Sequence, residues 1–463
     1  MTLGPRLSQT RSFAPRPTAG QRPRDPRELP AVADSRVPGS RLRQLELVVT
    51  AAWQRPFYRR HWEGAHWQEV MELFRQGRSN ELPPIRKRDL RDHPEEIFDY
   101  DGAIDVVSSS GTTGRPVDVP VHADEDAYRV LLIRRTLTEL GVGPGSRVLQ
   151  LLSLNDLFSL GPIAWNAARG QGACVLRCSP QRIGRVLQVI DRMQPEFVIG
   201  NPFALARMAA EAGDAWLDPD RLPDRALLGA AATFDANLAP TPAAETAIRR
   251  WGLQEALNPY GCGETGPIAY ECRAHQGLHL HDDYHHVELI EPGTGRPVTD
   301  PECPGEVVVT ALTLPRGFLP VRYATGDVVA WLRTDRCSCG RTSPRLGPVI
   351  GRVDQHLKIT GQTVFPDLLL DIADRCSAVH RSAVCVRLDE LSGDDVTLLL
   401  VPERGGDPDR VLREVTQRIT HHLAVSPKVE ITDEDGLNGW EKVASLNTNQ
   451  VKIPRFFDLR GAR

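Results

Sequence analysis

The chain holds 463 residues, 41% of them hydrophobic and 25% charged, with a formal net charge of -4; that length accommodates more than one domain and a sizeable core, and the mild acidity argues against a nucleic-acid partner. No apolar run is long enough to cross a bilayer and the N-terminus lacks the apolar core of a secretory signal, so a cytoplasmic protein without membrane contact is expected. Nine cysteines, an odd number without framework spacing, fit a reducing compartment and leave some of them available for metal.

Residues 1–42 are rich in Pro, Arg, Gly and Ser and show almost no apolar periodicity. Such a segment buries too little surface to offset the entropy of ordering, so it reads as a disordered tail. Asp25, Glu28 and Asp34 dilute its positive charge, which disfavours a basic binding arm. Further on, the apolar stretch Ile104-Asp105-Val106-Val107 runs into Ser108-Ser109-Ser110-Gly111-Thr112-Thr113-Gly114-Arg115-Pro116. Small residues let backbone N–H groups converge on a polyanion, hydroxyls add donors and Arg115 adds positive charge, so this loop suits phosphate. The same composition also makes linkers. It lacks the Lys-Ser/Thr ending of a Walker loop and the GxGxxG spacing of a dinucleotide fold, which sets those two aside.

Between 127 and 260, amphipathic stretches alternate with short apolar runs, the pattern of strands and crossover helices in a parallel sheet. Strands are predicted over Val148–Leu152, Cys174–Leu176, Phe197–Ile199 and Ala226–Leu228, while Ile183, Val186, Leu187 and Ile190 are spaced for one face of a helix. Crossovers of this kind place ligand loops at the strand carboxyl ends. From 278 to 335 short alternating strands over Val287–Ile290, Glu306–Thr310 and Val328–Leu332 predict an antiparallel or barrel-like layer. Past Gly351 the pattern gives a helix near Leu368–Ala373, strands near Ala383–Arg387 and Val396–Val401, a helix over Pro408–His422 and a last strand near Val429. The expected fold class is α/β: a large N-terminal domain over 43–353 with parallel sheets and a distorted barrel-like layer, and a small mobile α+β C-terminal domain over 354–463.

The loop at 108–116 resembles the signature loop of the AMP-forming adenylating enzymes, and four further matches follow in that superfamily's order. They are Tyr260-Gly261-Cys262-Gly263-Glu264, Arg322-Tyr323-Ala324-Thr325-Gly326-Asp327, Gly351-Arg352-Val353-Asp354 with Lys358 and Gly361, and a late lysine, Lys452. Within the superfamily the chain looks most like phenylacetate-CoA ligases and their relatives. That similarity rests on Pro56-Phe57-Tyr58, Leu82-Pro83-Pro84 with Lys87, Asp89 and Leu90, Glu271-Cys272 with Gly277-Leu278-His279, the Cys337-Ser338-Cys339-Gly340-Arg341 knot, and Val364-Phe365-Pro366. It runs from about Leu45 to the C-terminus.

A carboxylate is a poor electrophile at neutral pH, and adenylation gives it a leaving group; in such a displacement a protein mainly positions reactants and neutralises charge. The resemblance implies that Ser109, Ser110, Gly111, Thr112, Thr113 and Gly114 hold the β- and γ-phosphates of ATP, with Thr112 and Thr113 in the catalytic set. It implies that Glu264 carries Mg2+, a role for a hard oxygen ligand. Asp327, in a Thr-Gly-Asp turn, would accept hydrogen bonds from both ribose hydroxyls beside Arg352, and Asp354 would be the hinge of the small domain. Lys452 would be the catalytic cation near the carboxylate oxygen and the α-phosphate, with Arg455 at the family's spacing and Lys442 as a rival. Only Lys87, Lys358, Lys428, Lys442 and Lys452 are lysines, which makes each informative. Gly263 stands where the family usually has Thr or Ser, so one phosphate contact is missing.

Cys272, His279, Cys337 and Cys339 offer three thiols and an imidazole, a set suited to tetrahedral Zn2+; relatives carry a structural zinc at matching positions. His275, His281, His285 and His286 are alternative nitrogen ligands, and free thiols packed in a β layer are the competing reading. By the same resemblance, Phe158 in Asn155-Asp156-Leu157-Phe158, Ala230 and Ala231 after Gly229, and Tyr260 with Gly261 line the acid pocket; an aromatic ring beside small alanines suggests a flat aromatic acid. The expected activity is ATP-dependent activation of an aryl or arylacetic acid as acyl-AMP, followed by transfer to coenzyme A. Transfer to an amine, hydroxyl or carrier protein in specialised metabolism is a second reading, and an inactive nucleotide-binding homologue a third. A homodimer is left open.

Overall fold

The computed structural model describes residues 38–109, 116–301, 303–332, 336–355, 357–359, 362–364, 366–389, 393–423, 426–445 and 455–459. Its first helix, α1 (Pro38–Gln54), begins inside the stretch expected to be tail, and residues 38–42 are therefore helical. Four more helices follow: α2 (Pro56–His61), α3 (Trp67–Arg75), α4 (Lys87–Asp92) and α5 (Pro94–Ile97). Their apolar residues, among them Val48, Phe57, Met71, Phe74 and Ile97, share one core with Leu312, Phe318, Val321 and Tyr323. The segment before α4 runs beside the later sheet, where the Ile85 amide donates to the Arg322 carbonyl and the Ala324 amide to the Ile85 carbonyl.

The hairpin β1 (Asp105–Ser108) and β2 (Asp118–Val121) leads into the long helix α6 (Ala123–Leu140), which ends at Gly141 in the left-handed conformation that relieves a helix terminus. Next comes a five-stranded parallel sheet of order β4-β3-β5-β6-β7, formed by β3 (Arg147–Gln150), β4 (Cys174–Arg177), β5 (Phe197–Gly200), β6 (Arg225–Leu228) and β7 (Glu255–Leu257). Its crossovers are α7 (Leu160–Gly170), α8 (Ile183–Met193), α9 (Pro202–Ala212) and α10 (Pro242–Trp251). Alternate strand residues point to opposite faces. Val148, Phe197, Ile199 and Leu227 pack under α6 and α7, whereas Leu149, Val198, Ala226 and Leu228 pack with Val186 and Ile190 of α8, Met208 of α9 and Trp251 of α10. Burial on both faces explains why these strands read as continuous apolar runs. Parallel sheets were expected in the plural; among the described residues this is the one wholly parallel sheet.

Two antiparallel four-stranded sheets follow. One has the order β14-β10-β9-β8, from β8 (Pro259–Cys262), β9 (Gly266–Glu271), β10 (Leu278–Leu280) and β14 (Arg345–Leu346). The other has the order β11-β12-β13-β15, from β11 (His285–Ile290), β12 (Pro304–Ala311), β13 (Tyr323–Ala330) and β15 (Gly351–Arg352). Tyr260, Ile268 and Leu280 from the first share a core with Leu289, Val307 and Val329 from the second, which is the barrel-like layer. The last predicted strand of this layer, Val328–Leu332, lies earlier than expected, at Tyr323–Ala330.

The C-terminal elements are the hairpin β16 (Leu357–Ile359) and β17 (Gln362–Val364), α11 (Pro366–Asp374), β18 (Val379–Asp389), β19 (Gly393–Pro402), α12 (Pro408–Leu423), β20 (Lys428–Ile431), α13 (Glu434–Ser445) and β21 (Phe456–Asp458). They build a mixed sheet of order β20-β19-β18-β21, with α11 and α12 packed through Leu369, Val411 and Val415. Leu437 of α13 and Phe457 of β21 pack with Ala383, Cys385 and Leu399 in a separate small core. The sequence pattern locates α11, α12, β18, β19 and β20 and passes over β16, β17, α13 and β21. Among the described residues no helix is long and apolar enough to cross a membrane.

Candidate active site

The carboxyl ends of β3, β6 and β7 lead into the segments that carry residues singled out in the sequence, as crossover topology requires. β3 continues to Phe158, β6 to Ala230 and Ala231, and β7 to Tyr260. Asp156 and Leu157 are both left-handed, with φ of 60° and 56°, and so is Ala230 at 63°. Three non-glycine residues in that region cost on the order of 1 kcal/mol or more each, and such strain concentrates at ligand sites. The Leu157 carbonyl accepts from the Ser108 amide at 2.8 Å, which ties this loop to the root of the Ser/Thr-rich hairpin. Phe158 and Ala230 are both half-buried against the core beneath α7.

Ser109 is buried and closes the base of the hairpin: its amide donates to the Val117 carbonyl at 2.9 Å, and the Val117 amide donates back to its hydroxyl at 2.9 Å. Ser110, Gly111, Thr112, Thr113, Gly114 and Lys452 lie outside the described residues, as do the side chains of Asp354 and Lys442.

Asp327 sits in β13, so the expected turn is a bulge within a strand. Ala324 faces Val308 while Val328 faces Glu306, which leaves Thr325, Gly326 and Asp327 opposite Val307 alone. Gly326 takes φ +82°, and the Thr325 hydroxyl donates to the Val307 carbonyl at 3.2 Å. A bulge of this kind re-aims a side chain. The buried Asp327 carboxylate accepts from the Tyr260 hydroxyl at 3.1 Å through Oδ2 and from Arg352 at 2.8 Å through Oδ1. Arg352 also donates to the Thr325 carbonyl at 3.2 Å. Burial and the adjoining carboxylate push the Tyr260 phenol well above its usual range, so it is a neutral donor. Each Asp327 oxygen retains a second lone-pair site.

Glu264 follows β8 and is 4% exposed. Burial pushes its carboxyl up, but the Lys87 ammonium at 3.3 Å, with the Glu264 backbone amide and Arg352, holds it below its ordinary value. Arg129 of α6, buried, donates to the Gly263 and Glu264 carbonyls at 3.1 and 3.3 Å and fixes the turn. A Cβ at Gly263 would lie 3.5 Å from the Ser108 carbonyl, so this turn packs on the root of the Ser/Thr-rich loop. Sequence reading marked Lys87 only as a scarce lysine in a family-like stretch and passed over Arg129 altogether. Arg455 does not reach toward this site: its guanidinium forks onto both oxygens of Asp374 at 2.6 Å and binds the Ser382 carbonyl at 2.9 Å.

Cys272, His279, Cys337 and Cys339 form a cluster whose ligand atoms all lie within 4.8 Å of one another. Cys272 and Cys337 sulfurs are 3.8 Å apart, and Cys339 Sγ is 3.4 Å from His279 Nε2. Zn–S distances near 2.3 Å make a tetrahedral edge of about 3.8 Å, so these two separations are close to those of a tetrahedral zinc site. His279 Nδ1 meets the Ser343 hydroxyl at 2.9 Å, the outer contact that orients a ligating imidazole. Burial, with Arg341 and Arg345, lowers its pKa to about 4, leaving the neutral form that binds metal. The other histidines are engaged elsewhere: His275 with Glu255 and Glu271, His281 stacked on Tyr270, His285 on the Pro267 carbonyl and His286 on Arg41.

Comparison with known proteins agrees with this architecture. The AMP-binding enzyme family matches residues 58–319, more than half of the chain. A phenylacetate-coenzyme A ligase of Thermus thermophilus is 30% identical over 341 residues, covering 70% of this chain and 72% of that protein. A phenylacetate-coenzyme A ligase of Escherichia coli is 28% identical over 423 residues, covering 88% and 90%. In fold, the chain is similar to 2-hydroxyisobutyryl-CoA ligase in its postadenylation state, with a TM-score of 0.74 and 22% identity over 94% of each chain. By sequence and by fold, the chain belongs to the AMP-binding enzyme family.

Proposed function

We propose that this protein is an AMP-forming acid–CoA ligase acting on an aryl or arylacetic acid. An oxygen of the acid attacks the α-phosphorus of ATP, pyrophosphate leaves in line, and the acyl-AMP then passes its acyl group to the sulfur of coenzyme A, releasing AMP and the thiol proton. The observation that carries this reading is the convergence of Glu264, Tyr260, Asp327 and Arg352 beside the root of the Ser/Thr-rich loop.

In this reading Ser109 to Gly114 cradle the phosphates and Asp327 takes the ribose hydroxyls, with Tyr260 and Arg352 holding its carboxylate in place. Glu264 supplies an oxygen for Mg2+, which when bound offsets phosphate charge. Phe158, Ala230, Ala231 and Gly261 border the acid. Residues 354–463 form a small domain that turns about Asp354 and brings Lys452 to the reacting oxygens. Cys272, His279, Cys337 and Cys339 hold a zinc with a full ligand shell, which leaves it no open position for substrate.

ATP–pyrophosphate exchange over a panel of carboxylic acids, paired with free-thiol loss from CoA, tests the reading. Exchange stimulated by aromatic acids together with CoA consumption supports it. Exchange without CoA consumption moves the acceptor to an amine, hydroxyl or carrier protein, and absence of exchange with every acid rejects catalysis by adenylation.

A further inference from the structure

The loop that carries Ala230 is steered from a neighbouring strand. β5 ends at Gly200, and the next residue, Asn201, is the N-cap of α9. Its Oδ1 accepts from the amides of Phe203 at 2.9 Å and Ala204 at 3.4 Å. With the oxygen committed to the helix, the side-chain nitrogen faces the other way, and Nδ2 donates to the Ala230 carbonyl at 3.3 Å. One side chain thus joins the exit of β5 to the exit of β6, two adjacent strands of the parallel sheet.

Capping alone does not call for asparagine. Serine and aspartate cap a helix about as well, and one oxygen is all that the α9 amides use. What asparagine adds is the donor, and the residue it serves is strained. Strand pairing persists to Gly229, whose amide donates to the Gly200 carbonyl at 3.0 Å, and at Ala230 the chain turns left-handed with φ 63°. Alanine disfavours that region because its Cβ crowds the following carbonyl oxygen. The preceding residue has no slack either: a Cβ at Gly229 would stand 2.7 Å from Leu160 Cδ2 of α7. Ala230 packs on the same core as Phe158, so its backbone conformation sets where its methyl group and the following residue, Ala231, stand relative to that ring.

We infer that Asn201 is a positioning residue for acid recognition: its side-chain amide holds Ala230 in the left-handed conformation and so shapes the wall that the carboxylic acid meets. The inference rests on the reading of Ala230 and Ala231 as the border of the acid pocket. It concerns the first half-reaction alone and is independent of the acyl acceptor.

Three variants separate the two arms of the side chain. Asn201→Ser and Asn201→Asp keep an oxygen for the cap and lose the donor, whereas Asn201→Ala loses both. Asn201→Ser should melt near the wild type and Asn201→Ala below it. In ATP–pyrophosphate exchange by the full chain with an aromatic acid, Asn201→Ser should raise KM for the acid about fivefold, the worth of one hydrogen bond, with KM for ATP unchanged. Asn201→Asp should raise it further, because two oxygens would then face each other. Glycine takes positive φ without penalty, so in an Ala230→Gly background the effect of Asn201→Ser on acid KM should shrink to about twofold or less. An equal effect in both backgrounds shows that Asn201 does not act through the Ala230 backbone and overturns the inference. Unaltered acid KM in Asn201→Ser and Asn201→Asp, with a lower melting temperature in Asn201→Ala, makes Asn201 a helix cap only; it overturns the inference and leaves the adenylation reading standing. Absence of exchange by the wild type with every acid removes the acid pocket itself, and the inference with it.

Discussion

The ammonium of Lys87 lies 3.3 Å from a carboxylate oxygen of Glu264, at side-chain exposures of 17% and 4%. Two charges from segments remote in sequence meet inside the molecule, and α4 is held there by the backbone pairing of Ile85 with β13. The pair does two things at once. It keeps Glu264 ionised although burial opposes this, and it holds the carboxylate at the turn that packs on Ser108 and Ser109.

Lys87→Met should therefore leave an uncompensated buried carboxylate and destabilise the protein by about 3 kcal/mol, read as a shift in chemical unfolding at neutral pH. The pH dependence fixes the sign. The folded-state pKa of Glu264 is depressed, so its contribution is present above the unfolded value and is lost as pH falls through the folded one. In the variant, burial acts unopposed by Lys87 and the carboxyl takes up its proton at higher pH. The acid limb of the exchange-rate profile should move upward, and an unmoved limb would show that Glu264 plays no ionised role.

Tyr260→Phe removes a donor to Asp327 Oδ2 and leaves the Arg352 contact intact. It should raise KM for ATP by about tenfold or less, with little change in stability. Asp327→Ala removes the acceptor itself and should abolish exchange at ordinary ATP concentrations. Wild-type ATP affinity in Asp327→Ala would place the ribose elsewhere.

Metal analysis of the purified protein should return about one equivalent of zinc, lost in a Cys337→Ser, Cys339→Ser double variant together with a fall in melting temperature. Those two cysteines sit in a tight knot, where the Gly340 amide donates to the Cys337 carbonyl at 2.8 Å and the Cys337 amide to the Arg341 carbonyl at 3.1 Å. Metal-free protein with an unaltered melting curve would reduce the cluster to packed thiols.

What could be read in advance follows from how each feature is encoded. The parallel strands declare themselves because both faces are buried, so Phe197, Val198 and Ile199 are all apolar. Helix α8 declares itself through the spacing of Val186 and Ile190. The N-terminal helices do not, since α2, α4 and α5 run only four to six residues and find their core against Leu312 to Tyr323, far along the chain. The site divides the same way. Asp327 and Glu264 stand in recognisable motifs, but the bulge that aims Asp327 is a register shift between two strands and leaves no local composition signal. Arg129 reaches Gly263 across 134 residues of sequence, one arginine among many. Lys87 had the better signal, being one of few lysines.

Two glycines of one turn differ in what they permit. Gly261 lies in the β8 bulge, where a Cβ would stand 2.3 Å from the Gly266 carbonyl oxygen and 2.8 Å from the Pro267 Cα, both backbone atoms that cannot yield cheaply. Gly261→Ala should cost about 1–3 kcal/mol, seen as a lower melting temperature and weakened exchange. Gly263 is different: it is not among the left-handed glycines, and its nearest neighbour would be the Ser108 carbonyl at an ordinary 3.5 Å. Gly263→Ser should fold as the wild type does and place a hydroxyl beside the root of the Ser/Thr-rich loop. If that loop holds the phosphates of ATP, the added donor contributes one hydrogen bond to a charged group and should raise kcat/KM for ATP in exchange by several-fold. A folded Gly263→Ser protein with unaltered kcat/KM would mean that the turn faces away from the nucleotide, and the phosphate role of residues 109–114 would fall with it.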